Sequence, residues 1–174
     1  MTAILALIAG TTASAQSGNC DLVFDFESGT YTGNNVTFTV ETNPYTTGIN
    51  TSNTCLKITK TLLGNNADVI ILPITIPAGK TLAEAFTSVK VQFASVSGEL
   101  YGKPTFVGVS DDGSTWSNTY SGIDQPNLGT AWIERTISIS NLNSNLKNKT
   151  GNVSLGIGLG AWESNTIYYM DNIT

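Results

Sequence analysis

Thr105 to Tyr120 reads TFVGVSDDGSTWSNTY: an apolar alternating run, an Asp111-Asp112-Gly113 step, and a second run that opens with Trp116. Alternating apolar residues on either side of an Asp-Gly step are a strong short-range signal for a β-hairpin, because glycine supplies the positive φ that a tight turn needs. We read the stretch as a central hairpin. Outward from it the chain repeats one grammar. Short β-branched runs of period two are cut by Gly, Asn, Pro and Ser, and no apolar stripe of period 3.6 outlasts two turns.

The runs follow in order. Asp21–Glu27 (DLVFDFE) and Val36–Thr42 (VTFTVET) alternate; Asn43-Pro44 ends the second, since proline lacks the ladder donor. A Gly- and Asn-rich loop leads to a strand over Cys55–Leu62. Ala67–Ile76 (ADVIILPITI) is almost continuously apolar, as in a strand buried on both faces, and Pro73 marks a bulge or kink. Thr81–Phe86 suits one helical turn, and Ser88–Ser97 and Ala131–Ser140 return to strand. Asn141–Asn152 reads as a polar connector. In Val153–Gly160, Gly156, Gly158 and Gly160 share one strand face, which lets a packed backbone or a ligand lie close. Thr166–Thr174 (TIYYMDNIT) is the last strand. Nine or ten such strands, with turn signals every eight to twelve residues, predict an all-β, two-sheet antiparallel sandwich of the jelly-roll kind.

Composition narrows the function. The 174 residues carry 12% charged side chains, 17 glycines and a net charge of -5, without a cluster of Lys or Arg, so neither nucleic acid nor an anionic membrane is an expected partner. There is no histidine. That removes the commonest general base and zinc ligand and leaves carboxylates alone for any catalysis. A glycosidase needs two carboxyls facing one another at a set separation, and the 13 acids stand mostly isolated at strand ends and turns, so the chain does not read as an enzyme.

Residues 1–16 (MTAILALIAGTTASAQ) join a short apolar run to Ala13-Ser14-Ala15, the pattern of a secretory signal peptide, although no Lys or Arg precedes the run. Residues 17–174 then form one module, secreted or at the cell surface. In such a compartment Cys20 and Cys55 either form a disulfide or remain two buried thiols.

Sugar recognition needs flat aromatic faces ringed by amides and carboxylates. Trp132 opens an alternating strand and reads as core. Trp162, in the polar GAWESN, is the foremost ligand candidate, followed by Tyr101, Trp116 and Tyr120. Glu99, Lys103, Asn118, Gln125, Glu163 and Asn165 are the hydroxyl-binding candidates.

Four segments carry a family resemblance: DFE at Asp25–Glu27, NPYTTGINTS at Asn43–Ser52, PAGKTL at Pro77–Leu82 with the following VKVQF, and the closing YYMDNIT. Together they resemble the β-sandwich carbohydrate-binding modules of Bacteroidetes polysaccharide-degrading enzymes, in particular the xylan-binding modules found with family 10 xylanases. The resemblance implies a galactose-binding-domain-like jelly roll, a noncatalytic module that holds a covalently linked glycoside hydrolase on xylan or another β-glycan. It also implies a structural Ca²⁺ held by Glu27 and Asp171, with loop oxygens from 50–54. The alternative from another class is an adhesion or anchoring domain without glycan specificity; a carboxylate-only hydrolase or lyase is a weaker third.

Overall fold

The computed structural model describes residues 24–26, 29–61, 69–96, 105–113, 115–120, 129–159 and 166–174, with backbone alone for 118–120. Its strands are β1 (Thr32–Asn34), β2 (Val36–Thr42), β3 (Thr54–Lys60), β4 (Val69–Thr75), β5 (Ser88–Ser95), β6 (Thr105–Ser110), β7 (Ser117–Tyr120), β8 (Ile133–Ser138), β9 (Asn152–Leu159) and β10 (Ile167–Asp171). They form two five-stranded antiparallel sheets. Sheet one runs β1-β4-β9-β6-β7 and sheet two β2-β3-β10-β5-β8, and the architecture is the jelly-roll sandwich expected from the strand pattern.

Strand alternation sends one set of side chains from each sheet inward. Ile70, Leu72, Val107, Val109, Leu155 and Ile157 of sheet one meet Leu56, Ile58, Val91, Phe93, Tyr168 and Met170 of sheet two in one core. The connections β3–β4, β5–β6, β7–β8 and β9–β10 each cross between the sheets at the same end of the sandwich. The opposite end carries two single-turn helices, α1 (Leu82–Ala85) and α2 (Ser144–Lys147). At α1 the Glu84 carboxylate accepts from both the backbone N–H and the hydroxyl of Thr81 at 2.8 and 2.9 Å, a capping box.

Several expectations are corrected. The hairpin exists, with Phe106 opposite Tyr120 and Val109 opposite Ser117, but β7 is an edge strand, so the hairpin is peripheral, not central. Its turn is wider than a two-residue Asp-Gly turn. Asp112 Oδ1 accepts from the Ser110 hydroxyl and the Thr115 N–H and supports the loop from within, and Gly113 takes the positive φ of 73°. Pro73 marks neither bulge nor kink. The β4–β9 register is unbroken through Pro73↔Ser154, and β1 reaches only Ile71, so the proline sits where β4 has become an edge and needs no second donor. The first predicted strand reduces, among the described residues, to one antiparallel bridge of Phe24 with Ile173, and Phe26 at φ 57° turns the chain out of extended geometry. The Asn-rich connector holds α2, whose start is capped by the Asn143 side chain accepting from Leu146 N at 2.9 Å. Strand β1 was not anticipated.

Candidate functional site

Each sheet also has an outer face, and the two are finished differently. On sheet one, alternation turns Gly108, Gly156 and Gly158 outward, with Gly108 paired to Gly156 and Phe106 to Gly158. The shared glycine face therefore serves a packed side chain: a Cβ added at Gly156 would sit 3.0 Å from the Trp116 ring and 3.2 Å from Val69. Trp116, half-buried, lies against this glycine. The backbones of Asn118 and Tyr120 pair with Gly108 and Phe106 along the same ladder.

On sheet two, the loop 43–53 folds back across β10 and β5. Beneath it Cys55, Ala94, Trp132 and Tyr169 form a second apolar cluster, with Tyr45 and Val96 packed alongside. The rings of Tyr45 and Tyr169 meet edge to face at 6.0 Å, and those of Trp132 and Tyr169 lie 6.4 Å apart. The Tyr45 hydroxyl donates to the Val96 carbonyl at 3.2 Å, which ties the loop ring to β5. Burial pushes the Tyr169 phenol up, with the nearby Glu41 carboxylate adding to it, and lifts the Cys55 thiol to about 12.

Next to the covered half runs an open strip on β2, β3 and β10. Thr37 and Thr39 are exposed there, and Glu41, Lys57, Thr59 and Ile167 are partly exposed. Glu41 Oε1 accepts from Lys57 Nζ at 3.2 Å and from the Thr39 hydroxyl at 3.1 Å. Aromatic edges thus stand beside fixed donors and acceptors, an arrangement suited to binding hydroxylated rings; among the described residues the open strip presents one carboxylate, already engaged.

Asp171 closes the other end of this face. It is fully buried; its Oδ2 accepts from Asn50 Nδ2 at 2.9 Å and its Oδ1 from Asn172 N at 2.8 Å. Desolvation holds its carboxyl above the usual range, and the charge of Asp25 pushes the same way. Asn50 turns its amide nitrogen to Asp171 and its oxygen to Asn43 and Ser52 N, so the carboxylate faces N–H donors; the Ser52 hydroxyl and the Asn172 amide oxygen, themselves hydrogen-bonded, are neighbouring oxygens of the kind that Ca²⁺ favours. Among the described residues no three acidic, His or Cys side chains gather around one point. Glu27, the other expected calcium ligand, lies outside the described residues, as does Cys20; Cys55 is a buried free thiol.

The residues singled out from the sequence divide accordingly. Trp162, Tyr101, Glu99, Glu163, Lys103, Gln125, Asn165 and the leader 1–16 lie outside the described residues, as do the side chains of Asn118 and Tyr120. Trp116 is placed on sheet one. Trp132 is core, as read, with 6% exposure. Sequence reasoning missed Tyr45, Tyr169, Lys57, Glu41 and Asn43. Period two would have found Tyr169, since Tyr168 and Tyr169 in TIYYMD must face opposite ways and only one can enter the main core.

No protein-family model matches the chain, and no curated protein matches it. Solved structures do. The CBM22-1 xylan-binding domain of Paenibacillus barcinonensis Xyn10C aligns with a TM-score of 0.51 at 14% identity, covering 87% of this chain and 91% of that one. The family 11 carbohydrate-binding module of Clostridium thermocellum, in complex with a β-1,3-1,4-mixed-linked tetrasaccharide, gives 0.53 at 11% identity, covering 86% and 91%. An arabinose-bound MgGH51 α-L-arabinofuranosidase gives 0.52 at 10% identity; the match covers 82% of this chain and 22% of that enzyme. At these identities the likeness is one of fold. The chain has the β-sandwich fold found in these carbohydrate-binding modules.

Proposed function

We propose that the chain is a noncatalytic carbohydrate-binding module, secreted or at the cell surface, that holds a covalently linked enzyme on plant cell-wall polysaccharide, xylan foremost. The observation that carries this reading is the fixed Tyr45–Tyr169–Trp132 cluster beside the open Thr37, Thr39, Lys57 and Glu41 strip. Sugar rings present apolar C–H faces to aromatic side chains and hydroxyls to polar ones. Tyr45, only partly buried at the edge of the cluster, supplies the stacking surface; Lys57 donates to and Glu41 accepts from ring hydroxyls. Trp162, Tyr101, Glu99 and Glu163, which lie outside the described residues, are included in the proposal as further ligand-binding residues. Because each contact competes with water, affinity should lie at roughly micromolar to millimolar Kd.

Calcium belongs to this proposal. Asp171, joined by Glu27, would hold one Ca²⁺ between the two ends of the described domain. What supports it is the burial of the Asp171 carboxylate, held above its usual range by desolvation and by the charge of Asp25, an arrangement that a cation would stabilise.

The test is affinity electrophoresis of the folded domain in gels containing xylan, mixed-linkage glucan, mannan or no sugar. Retardation by at least one polysaccharide supports the reading, and retardation lost in Tyr45→Ala assigns the face. A folded, calcium-supplied protein that migrates identically in every gel would instead be an anchoring domain, and release of reducing ends would make it a hydrolase.

A further inference from the structure

The loop that carries Tyr45 is held by a buried amide chain whose direction is fixed at both ends. Trp132 Nε1, a donor that cannot accept, gives its hydrogen to Asn43 Oδ1 at 3.1 Å. Asn43 Nδ2 must then point the other way, and it donates to Asn50 Oδ1 at 3.2 Å and to the Ser52 carbonyl at 3.0 Å. Asn50 Nδ2 in turn donates to Asp171 Oδ2 at 2.9 Å. A donor-only group stands at one end and a carboxylate acceptor at the other, so the two amides between them have one consistent orientation.

Asn43 also accepts from the backbone N–H of Tyr45 at 2.9 Å. Both lone pairs of its oxygen and both hydrogens of its nitrogen are thereby used, in a side chain 3% exposed. One amide thus fixes the indole of Trp132, the backbone of Tyr45 and, through Asn50, the position of the loop on β10. An aliphatic residue of the same size would fill the space and make none of these bonds.

We infer that Asn43 is the positioning residue of the polysaccharide site: it touches no sugar, and it sets the angle and distance at which Tyr45 stands against Tyr169 and Trp132. The inference rests on the reading of this face as the sugar site. A network of this kind preorganises binding because the loop is ordered before the ligand arrives, so the ordering is not charged against affinity.

The experiment is isothermal titration of the folded domain with xylohexaose or with mixed-linkage glucan oligosaccharide, whichever polysaccharide retards the wild type. The variants are Asn43→Leu, Trp132→Phe, their combination, and Leu146→Ala. Leu146 is a buried core residue on α2 at the far end of the sandwich and serves as a control for lost stability. Asn43→Leu is expected to weaken binding at least ~10-fold, the scale of losing a buried hydrogen-bonded anchor. Leu146→Ala should leave binding within about twofold at matched or greater loss of Tm, since it removes packing and no site contact. Trp132→Phe should weaken binding by less, and the double variant should be no worse than Asn43→Leu alone, since the two act through one bond. Tryptophan emission in Asn43→Leu should also change in the absence of sugar. Wild-type affinity in Asn43→Leu, or losses that simply add, would overturn the positioning role while leaving the binding function intact. A wild type that binds none of the polysaccharides removes the binding function and this inference with it.

Discussion

The two outer faces of the sandwich solve the same problem in opposite ways. Sheet one strips its outer face to glycine at 108, 156 and 158 and lays the Trp116 ring against Gly156. Sheet two keeps its side chains and brings a loop over them, held by buried amide hydrogen bonds from Asn43 and Asn50. Packing on glycine fixes one ring and fills the space. A polar-stapled loop covers half a sheet and leaves the other half open, with aromatic edges along the boundary. The comparison teaches that an aromatic side chain near a surface signals a ligand only where its surroundings leave room and partners for one. Trp116, prominent in the sequence, has a floor beneath it; Tyr45, unremarked, has an open polar strip beside it.

Four substitutions or titrations bear on this contrast. The largest effect should come from Tyr169→Ala, which removes the ring that both Tyr45 and Trp132 pack on. Loss of a buried aromatic of this size costs about 3 kcal/mol, seen as a fall in Tm, and sugar binding should disappear with it. Retained binding would place the site elsewhere. Next, Gly156→Val drives two methyl groups toward Trp116 and Val69 and should cost about 1–3 kcal/mol by overpacking, with polysaccharide affinity unchanged. A loss of affinity without a loss of Tm in this variant would move the site to sheet one.

The third concerns pH. The folded pKa of Asp171 is raised, so between the ordinary carboxylate range and that raised value the native state holds more protons than the unfolded state. Stability therefore falls as pH rises through this window. With calcium chelated, the Tm of the wild type should drop relative to Asp171→Asn as pH rises from the ordinary carboxylate range through the raised pKa of Asp171. Saturating Ca²⁺, which favours the ionised form, should reverse the trend. Parallel curves with and without calcium would remove Asp171 from the metal proposal. The smallest stability effect belongs to Lys57→Ala. The Lys57–Glu41 pair is partly solvated and worth under about 1 kcal/mol, yet the substitution should measurably weaken polysaccharide binding. An affinity identical to wild type would take Lys57 out of the site.

The fold was legible because its signal is local. VTFTVET is β2 residue for residue, and the last strand and the Thr81 helical turn stand where their patterns place them. The hairpin was legible as a pairing but not as an edge, since strand order depends on contacts between residues far apart in sequence. Pro73 was misread for the same reason: whether a proline interrupts a ladder depends on how far the neighbouring strand extends, and β1 stops at Ile71. The site was less legible. NPYTTGINTS looks like an ordinary Asn- and Gly-rich loop, and nothing in its composition says that Asn43 and Asn50 turn inward to be buried. Alternation could have separated Tyr168 from Tyr169, but not which outer face would carry a loop.

The most direct measurement of the central claim is calorimetric titration of two variants, Tyr45→Ala and Trp116→Ala, against the polysaccharide fragment that binds the wild type. The account predicts that Tyr45→Ala loses at least ~10-fold in affinity while Trp116→Ala binds as the wild type does. The reverse pattern would contradict it and assign recognition to the glycine-floored face of sheet one.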